Sequence, residues 1–478
     1  MSTLNVYRAL LAANQHRAVQ KASRRHVHIA SRPLVVVGYH LAGDIGAPLA
    51  LMWGTDQHTT PQIITIPEPR DRQLRFDALK VFGEALVEYL SGFNEMALQQ
   101  IGRGQSEATC IDAPQIVVPN QATADWLFGI VGRFTRNLRT DVSPAAPAIV
   151  SVAGKHLSFF HDLLPGSSLV LPATEILKTH WQTGQLPSED LNLSALLGWI
   201  IPGEGWDGPT AARHGENLPP AGPVSDPNWD ANVLSNLNSQ WHKASAGDVK
   251  TAVRGELEIE IRNQLDHTWA DCWQAIDLIS ALPEGERVAH RWGADCQSWT
   301  RHNVQMQAGE ARFRNVPTPI QSARTLSTLE RKTKELETEM ALDDPLVMAN
   351  YIAKGEALSG RVAAVDANRK IPGPTGRQVR RPLVTLEPLI PFTRPPGTKL
   401  FLASAPKVEL EVISTTPELV LAQVISGALT AKTSHHLPSV GDEVVLSPFG
   451  KSDWYPSPEY DEVPWTHQVP ELMEEQHQ

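Results

Sequence analysis

Residues 113–134, APQIVVPNQATADWLFGIVGRF, decide the predicted fold because they combine a strand, a tight turn and a helix. The run 116–118 is β-branched and uninterrupted, which is typical of a strand covered on both faces. Pro119 ends that strand, and Asn120 or Thr123 can cap the following helix. A strand that enters a helix through a short polar turn predicts an α/β domain, in which ligands gather at the carboxyl ends of the strands.

The helix after this turn is predicted to be amphipathic, with arginines on its solvent face. Asn120 and Asp125 lie at the carboxyl end of the strand, and two interpretations of them stay open. They are either a cap and a first-turn acid favoured by the helix dipole, or contacts to a ligand or metal. The apolar face consists of Leu127, Ile130, Val131, Phe134 and Leu138, and the opposite face of Arg133, Arg136 and Arg139.

Length and composition set the class of protein. A chain of 478 residues predicts roughly two to four domains, and 41% hydrophobic against 20% charged residues indicates a globular protein. No apolar run has the length of a membrane span, and the start lacks a signal-peptide pattern. Cys110, Cys272 and Cys296 are odd in number and far apart, which excludes a disulfide framework and a zinc ribbon. A cytoplasmic location is expected.

Charge is distributed unevenly along the chain. The formal net charge is −11, but residues 1–32 carry no acid, and residues 361–407 carry nine basic side chains against Asp366 and Glu387. The tail after Pro458 is acidic. Two basic patches on an acidic protein are suited to phosphate, or to acidic segments of the same chain.

The order of elements in the first half predicts an α/β domain. Short connections between the first strands favour an antiparallel meander. Residues 1–32 are predicted to be a basic helix, although an acid-free start is also compatible with an organelle transit peptide. The expected elements are strands over 34–39, 48–53 and 62–66, a helix over 71–93, the strand and helix of 113–134, an apolar run at 148–152, a helical stretch at 156–163 and a strand at 168–171.

This order resembles that of ribonuclease H-like domains. The segment QIVVPNQATADWLFGIV is similar to an exonuclease segment in which a strand and an Asn precede a helix with an Asp, which maps Asn120 and Asp125 onto that pattern. Such enzymes hold two divalent cations with carboxylates on the first strand. Strand 34–39 has none, and Asp44 is the nearest acid. The resemblance therefore implies either a ribonuclease H-like fold that has lost its metal site, or a Mg²⁺- or Mn²⁺-dependent nuclease.

In the nuclease alternative Asp44 and Asp125 are the catalytic carboxylates, joined by Asp112 or Glu68. No cofactor is expected otherwise, because the sequence contains no GxxxxGK[ST] phosphate loop, no GxGxxG fingerprint and no GxSxG elbow. The scattered histidines have no partners at a spacing diagnostic of a metal site.

A second resemblance spans most of the chain. Residues 172–200, with GAPLALMWGT earlier and DDPLVMANY later, are similar to uncharacterised proteins of high-GC Gram-positive bacteria that are associated with helicase-like ATPases. This resemblance implies such an ATPase as a partner.

The second half predicts helices and then a small barrel. Residues 202–230 are rich in Pro and Gly and are expected to form a linker without regular structure. Nine of the thirteen tryptophans lie between 181 and 299 and are either core residues or platforms for base stacking. Six short β runs separated by Gly and Pro indicate a barrel of the oligonucleotide-binding or SH3-like kind. They cover residues 359–365, 383–386, 399–403, 408–413, 419–425 and 443–446.

The predicted organisation is α/β, then α, then β. It consists of a basic helix (1–32), a ribonuclease H-like domain (33–201), a linker (202–230), a helical domain (231–357), a small β-barrel (358–455) and an acidic tail (456–478).

Three hypotheses follow for function. The first is a non-catalytic or weakly catalytic module that binds DNA or RNA and is accessory to a helicase-like ATPase, which docks on the charged helix 320–342 or on the acidic tail. The second is the metal-dependent nuclease, and the third is a scaffold without nucleic-acid contact. In the first hypothesis phosphate is bound by the first long loop of the barrel, through Arg369, Lys370, Arg377, Arg380 and Arg381.

Overall fold

A computed structural model describes most of the chain. The described residues are 3–102, 105–143, 145–219, 222–245, 247–311, 313, 317–373, 376–430 and 432–450, so the predicted acidic tail lies outside them. The chain divides into an N-terminal unit, Arg8–Val316, and a C-terminal unit, Pro317–Gln478, with which Met1–Tyr7 is grouped.

The elements up to Val316 combine short strands with helices of very different length. In chain order they are α1 (Thr3–Gln15), β1 (Val19–Gln20), β2 (Leu34–His40), β3 (Pro48–Gly54), β4 (Gln62–Thr65), α2 (Arg72–Ser91), β5 (Met96–Gly102), β6 (Gln105–Cys110), β7 (Ile116–Val118), α3 (Gln121–Ala124), a π-helical segment (Asp125–Val131), α4 (Gly132–Thr135), α5 (Ala148–His161), β8 (Val170–Pro172), α6 (Ala173–His180), β9 (Trp181–Gln182), α7 (Leu193–Ile200), α8 (Gly208–Glu216), α9 (Pro227–Trp229), α10 (Ser235–Lys243), α11 (Asp248–Ser280) and α12 (Val288–Gln307).

A five-stranded sheet in the order β4-β3-β2-β7-β8 organises the N-terminal unit. β2, β3 and β4 are antiparallel neighbours, whereas β2 and β7, and β7 and β8, run parallel. Every residue of β2 is buried, as the uninterrupted apolar pattern predicts for a strand covered on both faces. The meander and the helix after it were predicted from the sequence, and both are confirmed.

Two hydrophobic cores cover the two faces of this sheet. Alternate residues of β2 divide between them: Val35 and Val37 belong to one core, and Leu34 and Val36 to the other. The first core includes residues of α6, α7 and α11, and the second includes residues of α2, α5, α12 and the π-helical segment. The period of two along a strand thus places the sheet between two helical layers.

The apolar run 148–152, for which no element was predicted, is the first half of α5, because Val150, Ala153 and Leu157 fall on one buried face at helical spacing. One prediction for this unit is wrong, since residues 202–230 were expected to lack regular structure but contain α8 and α9. Asp207 caps α8 through a bond from Thr210 N (2.9 Å), and the missing side chain of Gly208 permits close packing, since a Cβ there would lie 2.8 Å from the His16 carbonyl oxygen.

The C-terminal unit is a closed six-stranded barrel preceded by helices. Its elements are α13 (Pro319–Asp343), α14 (Pro345–Ala353), β10 (Leu358–Asp366), β11 (Lys370–Pro372), β12 (Gln378–Arg380), β13 (Leu383–Pro388), β14 (Lys399–Leu402), β15 (Ala405–Thr415), β16 (Val420–Ser426) and β17 (Glu443–Ser447). The barrel order is β10-β13-β16-β15-β14-β17, and β11 and β12 form a separate two-stranded ribbon.

All six predicted barrel runs are confirmed as strands, and so is the helical character of 231–357. Along β15 the buried residues Val408, Leu410 and Val412 alternate with more exposed ones, which is the pattern of a strand with one face in a barrel core. Trp269, Trp273 and Trp299 are buried, so the core interpretation holds for them. None of the described helices combines the length and apolarity that crossing a bilayer requires.

A buried histidine pair links α5 to α12. The His156 Nδ1 and His302 Nε2 atoms are 3.0 Å apart, so one ring donates a hydrogen bond to the other. The His302 ring also stacks on Phe159 at a centroid distance of 4.1 Å. Burial lowers the pKa of His156 to about 4, and burial together with the neighbouring His156 lowers that of His302 to about 3.

These pKa values predict acid sensitivity. The folded protein keeps both rings neutral, whereas the unfolded chain takes up protons near its ordinary pKa of 6.5. The contribution of the neutral histidines to the free energy of unfolding should therefore be fully present above pH 6.5. It should be lost as the pH drops towards 4, and His156 alone should account for a loss of ~3 kcal/mol. Urea denaturation across this range measures it. The double variant His156→Gln/His302→Gln should show a flatter profile, while the exposed-site control His58→Gln keeps the wild-type slope; an unchanged profile in the double variant contradicts the assignment.

Candidate functional site

Asn120 closes the carboxyl end of β7 by capping the following helix. Its Oδ1 atom accepts hydrogen bonds from Thr123 N (2.9 Å) and Thr123 Oγ1 (3.0 Å). Its Nδ2 group donates to the Gly222 carbonyl at 3.1 Å. The two bonds from Thr123 cap the helix, and the bond to Gly222 fixes a segment that is distant in sequence. Of the two interpretations, the cap is therefore confirmed for Asn120.

The helix after Asn120 is interrupted by the π-helical segment, which changes the predicted helix face. A π turn holds one residue more than an α turn, so every following side chain rotates about the helix axis. Phe134 was expected to face the core but is 69% exposed. Arg136 was expected in solvent but is only 6% exposed. The prediction is therefore wrong at Phe134 and Arg136. Leu138 packs against the core, and Arg133 and Arg139 are exposed, as predicted.

Trp126, on the π-helical segment, fills the space beside the first strand of the sheet. A Cβ atom at Gly38 of β2 would overlap Trp126 Cζ3 and lie 2.8 Å from Trp126 Cε3. The Trp126 indole Nε1 donates to the Ile45 carbonyl at 3.0 Å, which fixes the ring in place. With the ring there, position 38 has no room for any side chain.

A strap, residues 222–225, lies across the same end of the sheet. His40 N at the end of β2 donates to the Pro223 carbonyl (2.7 Å), and Ser225 N donates to the His40 carbonyl (2.9 Å). The Gly222 carbonyl accepts from Asn120, which follows β7. The strap is thus bonded to the ends of both neighbouring parallel strands, where open α/β sheets usually bind their ligands.

The candidate catalytic acids are each held by a separate partner. Asp44 Oδ2 lies 3.2 Å from Arg70 Nε, and Asp125 Oδ1 accepts from Gln121 Nε2 at 2.8 Å. Asp112 Oδ1 accepts from Trp292 Nε1 (3.2 Å), and Glu68 Oε2 lies 2.9 Å from His242 Nε2. Within the described ranges no three His, Cys, Asp or Glu residues are placed to hold a metal ion.

An open cleft of about 430 Å³ remains beside Trp126. Its polar lining is His40, Asp125, Arg133 and His161. The His40 Nδ1–H group donates to the Leu41 carbonyl (2.9 Å), and burial lowers the pKa of this histidine. The lining thus combines one carboxylate with a cation and imidazoles, which is unlike the several carboxylates that two-metal catalysis requires.

The second candidate site is the basic ribbon, residues 369–373 and 376–381, which extends from the barrel between β10 and β13. In its antiparallel register Lys370 faces Arg380, and Pro372 faces Gln378. Arg381 N donates to the Arg369 carbonyl at 2.9 Å, so a second pair of basic residues lies opposite each other, directly next to Lys370 and Arg380. Like charges directly across a ribbon repel each other, which is a cost unless a counter-charge binds there.

Among the predicted phosphate ligands, two are held by hydrogen bonds of their side chains and two are exposed. Arg369 Nη1 donates to Gln423 Oε1 of β16 at 2.7 Å, and Arg380 Nε donates to the Ala367 carbonyl at 2.8 Å. These bonds fix the ribbon to the barrel. Lys370 and Arg377 are exposed, and across the described part of the chain none of the five basic side chains forms an ion pair with a carboxylate.

The chain was compared with protein-family models, with curated proteins and with solved structures, and none of the three comparisons gives a match. The functional proposal therefore rests on the arrangement of the chain's own residues.

The packing of Trp126 against Gly38 predicts strong coupling between the two positions. Gly38→Ala should destabilise the fold by about 1–3 kcal/mol through overpacking, and Trp126→Ala by about 3–5 kcal/mol through a cavity. In the Trp126→Ala background, Gly38→Ala should cost much less, because the clash is gone. Urea denaturation of the four proteins measures this coupling. Gly203→Ala, with no atom within 4 Å of the added Cβ, is the matched control; strict additivity of the two substitutions contradicts the packing.

Proposed function

We propose that this protein is a nucleic-acid-binding module whose α/β sheet carries no catalysis and whose basic ribbon is the contact to phosphate. The observation that carries the proposal is the ribbon itself. It places five basic side chains on two short strands and the residues directly next to them, with basic residues opposite each other and no carboxylate partner among the described residues. Phosphate groups of a polynucleotide would supply the counter-charge that the described part of the chain does not.

The α/β part is proposed to be a ribonuclease H-like domain. In this sheet the first three strands are antiparallel, and the first, fourth and fifth strands are parallel neighbours. That order and those directions agree with what the sequence resemblance implies. The support comes from topology alone, and a fold does not fix a function.

Loss of catalysis in this domain is supported by the packing at the carboxyl ends of its parallel strands. Two-metal hydrolysis needs carboxylates that converge on ions about 4 Å apart. Position 38 on the first strand has no side chain, and its space is taken by Trp126. Asp44 and Asp125 are engaged with Arg70 and Gln121. The packing therefore favours the non-catalytic hypothesis over the nuclease.

A helicase-like ATPase stays a predicted partner, since it follows from the resemblance of the sequence alone. The element suited to such an interaction is α13, a helix of 25 residues in which only Ala341 and Asp343 are buried. A long, charged helix with few fully buried residues can pair with a helix of another protein.

Removing the exposed cations should weaken binding without unfolding the barrel. Lys370→Ala/Arg377→Ala should lower affinity for DNA and flatten the dependence of log affinity on log salt by about 0.9 per lost phosphate contact. Fluorescence anisotropy at several salt concentrations measures both quantities. The matched control is Arg394→Ala, an exposed arginine whose Nε donates to the Gly355 carbonyl outside the ribbon. Equal loss of affinity in the control and the double variant refutes the ribbon as the contact.

Nuclease activity should be absent. Labelled DNA and RNA, in single- and double-stranded form, should remain intact after incubation with the protein and Mg²⁺ or Mn²⁺, because the described residues contain no group of three His, Cys, Asp or Glu that could hold a metal ion. Denaturing gel electrophoresis provides the readout. Cleavage that disappears in Asp125→Asn would establish the nuclease hypothesis instead.

A further inference from the structure

We infer that the basic ribbon recognises duplex DNA in the B form by entering its major groove. This inference rests on the proposed function and names its substrate class. It is drawn from the shape of the ribbon, the distribution of its charges and the aromatic residues of the barrel.

The shape of the ribbon fits one kind of groove. β11 and β12 form a two-stranded antiparallel ribbon that stands apart from the six strands of the closed barrel. The major groove of B-DNA is about 12 Å wide and admits a two-stranded β-ribbon. The major groove of A-form RNA is deep and too narrow for side chains to read. An RNA duplex should therefore bind less well.

The charges of the ribbon are placed for the two walls of a groove. Lys370 and Arg380 lie opposite each other on different strands and share one face of the ribbon. Ile371 and Val379 share the other face and are half-buried. The face of Lys370 and Arg380 presents a cation from each strand, which suits a ribbon flanked by two phosphate backbones.

Arg377 adds a cation at the outer end of the ribbon. It follows Gly376, whose φ of +75° is the left-handed conformation that glycine adopts readily. The Arg377 carbonyl accepts a bond from Gly373 N at 2.8 Å, which closes the turn and leaves the side chain exposed. An arginine at this end can reach base edges at the floor of the groove or phosphates along its rim.

The barrel offers little surface for stacking unpaired bases. Single-strand binders combine a basic groove with exposed aromatic rings. The sequence 358–450 contains no Trp or Tyr, and its phenylalanines are Phe392, Phe401 and Phe449. Phe392 is 3% exposed, and Phe449 packs edge-on against Tyr351. With so few aromatic rings on the barrel, affinity should depend mainly on phosphate density, which is higher in a duplex than in a single strand.

The test compares four labelled probes by fluorescence anisotropy with the full chain. They are a DNA duplex, an RNA duplex of the same sequence, oligo-dT of equal charge, and the DNA duplex with a bulky glucosyl group on C5 of each cytosine, which projects into the major groove. The unmodified DNA duplex should bind at least about tenfold more tightly than each of the other three at moderate salt. Lys370→Ala/Arg377→Ala should remove most of that difference, and Arg394→Ala should keep it.

The outcomes separate this inference from the proposed function. Binding of oligo-dT, RNA duplex or glucosylated duplex as tight as that of the DNA duplex overturns the major-groove inference and leaves nucleic-acid binding in place. Failure of all four probes to bind overturns the proposed function itself. Thermal unfolding of each variant, compared with the wild type, shows whether a lost contact or a lost fold is responsible.

Discussion

The contact between the Trp126 ring and the backbone of Gly38 is the constraint on which the structure at the carboxyl ends of the parallel strands depends. It places the largest side chain of the π-helical segment against the first strand, at the end where a parallel sheet usually binds its ligand. Asn120 and the strap 222–225 then connect the two strand ends. The chain's own residues thus cover the ends of two parallel strands and leave an open cleft beside Trp126.

Covering those strand ends changes the physical role of the domain. Its candidate catalytic carboxylates Asp44 and Asp125 are paired with Arg70 and Gln121, and its core residues are divided between two helical layers. In the C-terminal unit the basic ribbon places like charges opposite each other, and none of them forms an ion pair with a described carboxylate. A bound anion would supply that counter-charge, which is why we place function there.

Sequence patterns that repeat along one element were sufficient to predict that element. The alternation in β15 and the continuous apolar run of β2 gave the strands correctly, because each depends on neighbours within the segment. The orientation of Phe134 and Arg136 was not predictable, since one extra residue in the preceding turn rotates both and no sequence signal marks it.

Contacts between distant segments were also beyond the sequence. Pro and Gly at 202–230 suggested a linker, yet the same residues start α8 and allow close packing against segments far away in the chain. The basic cluster 369–381 was recognised from charge but was expected to be a loop, whereas β11 and β12 make it a two-stranded ribbon. The division between Arg369, which anchors it, and Lys370 and Arg377, which are exposed, requires the register of the strands.

Hydrogen–deuterium exchange of the full chain, with and without a DNA duplex, tests the central claim most directly. Peptides covering 369–381 should exchange more slowly when DNA is bound, and peptides covering 34–45 and 119–135 should be unchanged. Protection of peptides 34–45 and 119–135, with no change in 369–381, would contradict the ribbon as the nucleic-acid contact and would place that contact at the covered strand ends instead.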